Sequence, residues 1–274
     1  MLTEILELLT PYEKCGVSPD GCNASLTSYI PKLIASELND GKRPAVIVCP
    51  GGGYDYCSER EAEPIALRFA AFGIPSFVLN YSCYQKLFPT NLLELSYAVK
   101  YVRENANDFN IDADKIIVCG FSAGGHLAAS LAVHWNKPFI TDFISDNSHK
   151  PNGAILCYPV ITSGIYTHDG SIKNIANDNK DLIALVSLEN HVNNDTPPIF
   201  IWHTADDGLV PVQNTIDFTL ALAKNKIPFE SHIYPSGVHG LALCDITTAN
   251  YDGHLNSTCA NWFDLAVKWI YSNI

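Results

Sequence analysis

Ser122 lies in Gly120-Phe121-Ser122-Ala123-Gly124, a G-x-S-x-G pentapeptide between the apolar run Ile116-Ile117-Val118-Cys119 and the small-residue run His126-Leu127-Ala128-Ala129. This context reads as strand, sharp turn and helix. Glycines two residues either side of the serine tolerate crowding that a side chain would not, so the turn can hold a hydroxyl proud of a sheet edge at a helix N-terminus. A serine hydroxyl is a poor nucleophile at neutral pH; it requires a base, and the base requires an orienting acid. The chemistry these residues could do is acyl transfer.

Of the nine histidines, His239 in Tyr234-Pro-Ser-Gly-Val-His239-Gly240 is the expected base, because it follows the last strand pattern in a glycine-flanked loop that can swing an imidazole over the serine. His126, one helical turn past Ser122, reads as a packed or hydrogen-bonded core histidine. His203 and His232 fall at or within strands, and His134, His149, His168, His191 and His254 in helix ends or polar loops, so all of these read as structural or solvated. The acid is expected in Thr204-Ala-Asp206-Asp207-Gly208-Leu209-Val210-Pro211, a turn after an apolar strand. Neighbouring residues point in different directions, so only one carboxylate can serve; D-x-x-V-P favours Asp207, with Asp206 the alternative. Donors for a developing oxyanion are expected from Cys49-Pro50-Gly51-Gly52-Gly53-Tyr54, where the amides of Gly52 and Gly53 can approach a ligand, and from Ala123 directly after the nucleophile. A phosphate loop is disfavoured there, since neither Gly-Lys-Ser/Thr nor G-x-G-x-x-G is present.

The elements that must position these groups alternate along the chain. Strand patterns run over Ala45 to Cys49, Ile74 to Leu79, Lys115 to Cys119, Gly153 to Tyr158, Pro198 to Trp202 and Phe229 to Tyr234. Between them, Thr90 is expected to cap a helix burying Leu92, Leu95, Val99, Val102 and Ala106, and Ser58 with Glu61 to form a capping box for a helix through Phe72. Pro211 suits the first turn of a helix with Val212, Ile216, Leu220 and Ala223 on one face, and Thr258 suits the cap of a last helix burying Trp262, Leu265 and Trp269. This alternation implies an α/β fold, a mostly parallel central sheet with helices on both faces, in one domain spanning residues 1–274. Residues 1 to about 42 read as an irregular N-terminal segment. Residues 161–197, polar and placed after a strand end where ligands meet such sheets, read as a small cap insertion.

A formal charge of −12 repels phosphate backbones and anionic membranes, so nucleic acid and membrane partners are not expected. The nine cysteines lack a C-x-x-C pair, and Cys49, Cys119 and Cys157 sit within apolar strands as small hydrophobes, which points to a reducing cytoplasm. The acidic N-terminus lacks a secretory signal, and no apolar run approaches the roughly 18 residues of a membrane span. The sequons at Asn23 and Asn256 are therefore expected to stay unmodified. No metal-ligand cluster is apparent, and the chemistry calls for no cofactor.

Cys-Pro-Gly-Gly-Gly-Tyr, Gly-Phe-Ser-Ala-Gly-Gly-His-Leu, Pro-Pro-Ile-Phe-Ile-Trp-His-Thr-Ala-Asp-Asp and Val-His-Gly-Leu together resemble the bacterial acetylxylan-esterase and feruloyl-esterase-like α/β-hydrolases, over about residues 43–274. The group is similar to the hormone-sensitive-lipase esterases. The resemblance implies the α/β-hydrolase fold and carboxylic ester hydrolysis, often deacetylation of sugars. It assigns the triad to Ser122, Asp207 and His239, the oxyanion hole to Gly52, Gly53 and Ala123, and the substrate to a small-molecule ester such as an acetylated sugar. Val238 and Leu241 replace the glycine and aromatic that usually flank the histidine, Pro50 stands where lipase relatives carry histidine, and Asn80-Tyr81-Ser82 replaces a tyrosine-arginine strand end. A peptidase or amidase with the same triad is the alternative enzyme reading, and a non-catalytic binding protein the third.

Overall fold

The computed structural model describes residues 1–32, 42–84 and 86–274. Its strands are β1 (Leu2–Glu7), β2 (Ser25–Ile30), β3 (Arg43–Cys49), β4 (Ser76–Asn80), β5 (Ile111–Phe121), β6 (Gly153–Cys157), β7 (Ile199–Thr204) and β8 (Phe229–Tyr234). The helices are α1 (Glu63–Ala71), α2 (Thr90–Glu104), α3 (Ala106–Phe109), α4 (Ala123–His134), α5 (Pro138–Thr141), α6 (Asp169–Ala176), α7 (Lys180–Leu185), α8 (Gln213–Lys224) and α9 (Trp262–Asn273). All the strands join one sheet in the order β1-β2-β4-β3-β5-β6-β7-β8. β1 pairs antiparallel with β2 and β2 with β4, and the other pairs are parallel.

The central strands are continuous apolar runs because both of their faces are covered. Ala45, Ile47 and Cys49 of β3 pack with Leu92, Leu127 and Phe218 from α2, α4 and α8. Val46 and Val48, pointing the other way, pack with Ile65 and Phe69 of α1 and with Trp262 and Trp269 of α9. Both tryptophans of α9 are therefore core residues. The six expected strands are all present, and the α2 positions Leu92, Leu95, Val99 and Val102 are buried as expected.

The irregular segment expected over residues 1 to about 42 is corrected: β1 and β2 extend the sheet antiparallel, while residues 33–41 of that segment lie outside those described. Leu2-Thr-Glu-Ile-Leu-Glu does not alternate because β1 is an almost fully exposed edge, whose Glu4 and Glu7 suit an edge that must resist further pairing. Four helix details also differ. Ser58 makes no capping bond and Glu61 is buried elsewhere, so α1 starts at Glu63. Thr90 is the first residue of α2 without a side-chain cap, and α8 starts two residues beyond Pro211. α9 starts at Trp262 rather than at Thr258. The expected inner face of α8 is its outer one: Ile216 and Leu220 are exposed, whereas Asn214, Thr215, Phe218 and Leu222 are buried. Two polar residues can occupy that inner face because each finds partners. Asn214 Oδ1 accepts from the amides of Ile161 and Thr162 at 2.8 and 3.0 Å, and Thr215 Oγ1 bonds His203 Nδ1 at 2.8 Å.

Candidate active site

Ser122 stands between β5 and α4 with φ 52° and ψ −115°, a conformation that costs a non-glycine residue about 1–3 kcal/mol. The surroundings hold it there: its amide donates to Cys157 O at 3.0 Å and its carbonyl accepts from Val160 N at 3.1 Å. A Cβ on Gly120 would stand 2.0 Å from Gly124 O, and one on Gly124 would stand 2.1 Å from Cys49 O. The flanking glycines thus let the turn close on itself and on the end of β3, which is how the hydroxyl reaches the C-terminal edge of the sheet.

His239 follows β8, and Asp206 and Asp207 follow β7, at the same edge. Ser122 Oγ lies 2.7 Å from His239 Nε2, and His239 Nδ1 lies 2.7 Å from Asp207 Oδ2. Asp207 Oδ1 accepts from the amides of Leu209 and Val210 at 2.9 and 3.0 Å. Burial pushes this carboxyl up, but hydrogen bonds from His203 and His239 and the Val210 amide outweigh burial and hold it below the usual carboxylate range. His203 Nε2 is 3.0 Å from Val210 O and 3.3 Å from Asp207 Oδ2. A carbonyl can only accept, so Nε2 of His203 donates to Val210 O, while Nδ1 bonds Thr215 Oγ1 at 2.8 Å. Asp206 turns away: its carboxylate accepts from Ser236 Oγ and Gly237 N, both at 2.7 Å, and so braces the loop that carries His239.

The glycine loop after β3 is tied down on every side. Tyr81 Oη donates to Pro50 O at 2.6 Å, Gly51 N donates to Glu61 Oε2 at 2.9 Å, and Asn174 Nδ2 of α6 donates to Gly53 O at 2.9 Å. Gly52, with φ 123°, and Gly53 line a cleft of about 320 Å³ together with Ser122, His168 and His239. Ala123 is the first residue of α4, so its amide is one of the helix-end donors without an intrahelical acceptor. His126 is buried under this loop as expected: Nε2 donates to Val186 O at 2.9 Å and Nδ1 accepts from Tyr54 Oη at 2.8 Å. Burial lowers its pKa to about 4, so it stays neutral.

Two residues outside the expected set join these loops. Glu61 is buried, and its Oε1 accepts from Tyr158 Oη at 2.7 Å; Tyr158 Oη in turn accepts from Ala242 N at 2.9 Å. The Tyr158 ring also stands edge-on to His239, centroids 5.1 Å apart. One carboxylate therefore holds the glycine loop through Gly51 and the histidine loop through Tyr158. Next to it, Arg60 donates to Gly240 O at 2.9 Å and to Thr248 O. Within Ser58-Glu-Arg-Glu-Ala-Glu the capping-box spacing picks out Glu61, but for a local bond to the backbone of Ser58 and not for these distant partners. His203 had a weak signal, four residues ahead of Asp207. His168 caps α6 through Nδ1, which accepts from Ser171 N at 3.3 Å, and it also lines the cleft.

A family model described as BD-FAE matches residues 33–162. A solved structure, that of an acetyl ester-xyloside bifunctional hydrolase from Caldicellulosiruptor lactoaceticus, is 35% identical over 98% of this chain and 96% of that one, with a TM-score of 0.82. The chain belongs to the BD-FAE family of esterase-like α/β-hydrolases. Among curated proteins, this α/β-hydrolase is 42% identical over 229 residues to endo-1,4-beta-xylanase B of Butyrivibrio fibrisolvens, covering 79% of this chain and 35% of that protein. It is 31% identical over 256 residues to the acetylxylan esterase of Xylanibacter ruminicola, covering 90% of this chain and 49% of that protein. It thus spans roughly a third to a half of the length of these curated relatives. Among the described residues, no helix is long and apolar enough to cross a membrane.

Proposed function

We propose that this α/β-hydrolase is a serine carboxylic-ester hydrolase that removes short acyl groups from small polar alcohols, acetylated sugars foremost. The observation that carries this reading is the unbroken hydrogen-bonded path from Ser122 Oγ through His239 to Asp207, each link 2.7 Å long. His239 Nε2 takes the hydroxyl proton as Ser122 Oγ attacks the ester carbonyl. Asp207 stays ionised and steadies the imidazolium, and the amides of Gly52, Gly53 and Ala123 receive the oxyanion. Collapse of the tetrahedral adduct breaks the ester C–O bond as His239 returns its proton to the departing alcohol. Water, deprotonated by the same imidazole, then releases the acid and restores Ser122. Every group used is a side chain or a main-chain amide of this chain.

Deacetylation of sugars draws support from the acetylxylan esterase and the acetyl ester-xyloside hydrolase among the relatives. We take residues 161–197 as a cap within a single domain; His168 lining the cleft and Asn174 bonding Gly53 support that. A reducing, cytoplasmic setting fits nine cysteines that are all free, five of them buried. The test is a substrate panel: p-nitrophenyl acetate, p-nitrophenyl octanoate and an aminoacyl anilide, with a fluorophosphonate probe mapped by peptide mass. Hydrolysis of the acetate ahead of the others with labelling at Ser122 is expected. Preference for the anilide would move the reading to an amidase, and absence of both labelling and turnover would end it.

A further inference from the structure

The cleft that holds Ser122, Gly52 and Gly53 meets a second, larger groove of about 650 Å³ at His239 and Leu209. Both volumes lie at or within the range of small-molecule sites, about 300–1,000 Å³. On the serine esterase reading, from which this inference follows, the carbonyl and oxyanion must occupy the first cleft. The alcohol leaves past His239 Nε2, which protonates it, and His239 and Leu209, shared by the two linings, make the second groove the adjoining space open to that alcohol.

Tyr251 is the one aromatic residue besides His239 that lines this groove among the described residues. The ring lies against the backbone of Gly253, where a Cβ would stand 2.3 Å from its Cε2, and against His254, with ring centroids 4.2 Å apart. Only a glycine at 253 leaves room for the ring in that position. Backed in this way the ring is nonetheless 56% exposed, and among the described residues its hydroxyl has no hydrogen-bond partner. The remaining lining mixes the exposed apolar side chains of Leu209 and Val238 with Asp206 and Asn256. Each Asp206 oxygen already accepts one bond, from Ser236 or Gly237, and a carboxylate oxygen can accept two, so acceptor capacity for hydroxyl donors remains. A braced aromatic plane, apolar flanks and spare acceptors suit the C–H face and hydroxyl rim of a pyranose. Asp206 beside the groove, in a chain of net charge −12, disfavours an anionic occupant.

We propose that this groove is the subsite for the sugar carrying the ester, and that Tyr251 is its stacking platform. The experiment measures sugar binding apart from catalysis. Xylotriose and cellotriose are titrated by calorimetry into the Ser122→Ala protein and into the same protein carrying Tyr251→Ala or Tyr251→Trp. At least one of the two should bind, about five- to tenfold more weakly with Tyr251→Ala, while Tyr251→Trp keeps the affinity. In the active background, Tyr251→Ala should lower kcat/KM for acetylated xylo-oligosaccharide relative to p-nitrophenyl acetate by a similar factor, with the change in KM. Sugar binding that depends on Tyr251 in a protein that hydrolyses no ester would support the subsite while overturning the esterase reading. Ester hydrolysis without any Tyr251-dependent binding of either sugar, or an unchanged substrate ratio, would overturn the subsite alone.

Discussion

Replacing Asp207 by asparagine tests the acid with little change of shape. Asp207 Oδ1 is held by two amide donors, Leu209 N at 2.9 Å and Val210 N at 3.0 Å, so the carbonyl oxygen of an asparagine must take that position. Its NH2 group then occupies the Oδ2 position, 2.7 Å from His239 Nδ1. A donor there requires Nδ1 to accept, which places the ring proton on Nε2, facing Ser122, and the ring can no longer take the hydroxyl proton. His203 Nε2–H, 3.3 Å from the same position and committed to Val210 O, cannot turn to relieve the conflict. The comparable substitution in serine hydrolases with this arrangement costs about 10⁴ in kcat, or about 5.4 kcal/mol of barrier. Steady-state hydrolysis of p-nitrophenyl acetate at pH 7.5 measures it, with near-ultraviolet circular dichroism to check the fold. Asp206→Asn is the control: that side chain braces Ser236 and Gly237 from outside, and less than a tenfold loss is expected. Asp207→Asn within tenfold of wild type, or a larger loss from Asp206→Asn, would refute the assignment of roles.

Glu61→Ala strips the acceptor from Gly51 N and from Tyr158 Oη, two buried donors at about 1–3 kcal/mol each, so thermal unfolding should fall by several degrees and kcat should fall more than KM rises. A stability loss with kcat intact would confine Glu61 to structure. His126 titrates at about 4 when folded against 6.5 as its ordinary value. Its contribution is complete above about pH 6.5, where it is neutral in both states, and is lost as pH falls toward 4, because the unfolded chain binds the proton first. Urea unfolding of wild type and His126→Asn at pH 7 and 4.5 should show the wild type's advantage shrinking by about 2 kcal/mol, and a constant difference would contradict the burial argument. Phe218→Ala should cost about 3–5 kcal/mol in the same assay and Leu220→Ala under about 0.5 kcal/mol; the opposite order would reverse the face assigned to α8.

Legibility in the sequence followed the range of each requirement. The turn at Ser122 demands glycine at positions two residues away, because neighbouring backbone would otherwise collide, so it is written in five consecutive letters. Ala45–Cys49 of β3, Ile116–Phe121 of β5, β6 and Ile199–Trp202 of β7 are covered on both faces and are apolar throughout, so their runs stand out. β1 and β2 do not: one is an exposed edge, and Ser25-Leu-Thr-Ser-Tyr-Ile is half polar. The inner face of α8 does not follow its hydrophobic pattern, because Asn214 and Thr215 are buried through partners at Ile161, Thr162 and His203 that no local pattern reveals.

The sequence by itself determined the sharp turn that presents Ser122, the two loops that carry Asp206, Asp207 and His239, and the alternation of strands and helices beneath them, since each is set by local spacing along the chain. Only the tertiary structure decided that Asp207 rather than Asp206 meets His239, that His203 shares that carboxylate, and that Glu61 ties the glycine loop to the histidine loop. Those outcomes depend on which groups arrive within about 3 Å of one another from segments up to 97 residues apart, Glu61 to Tyr158, and hydrogen bonding is decided at that distance and not along the chain.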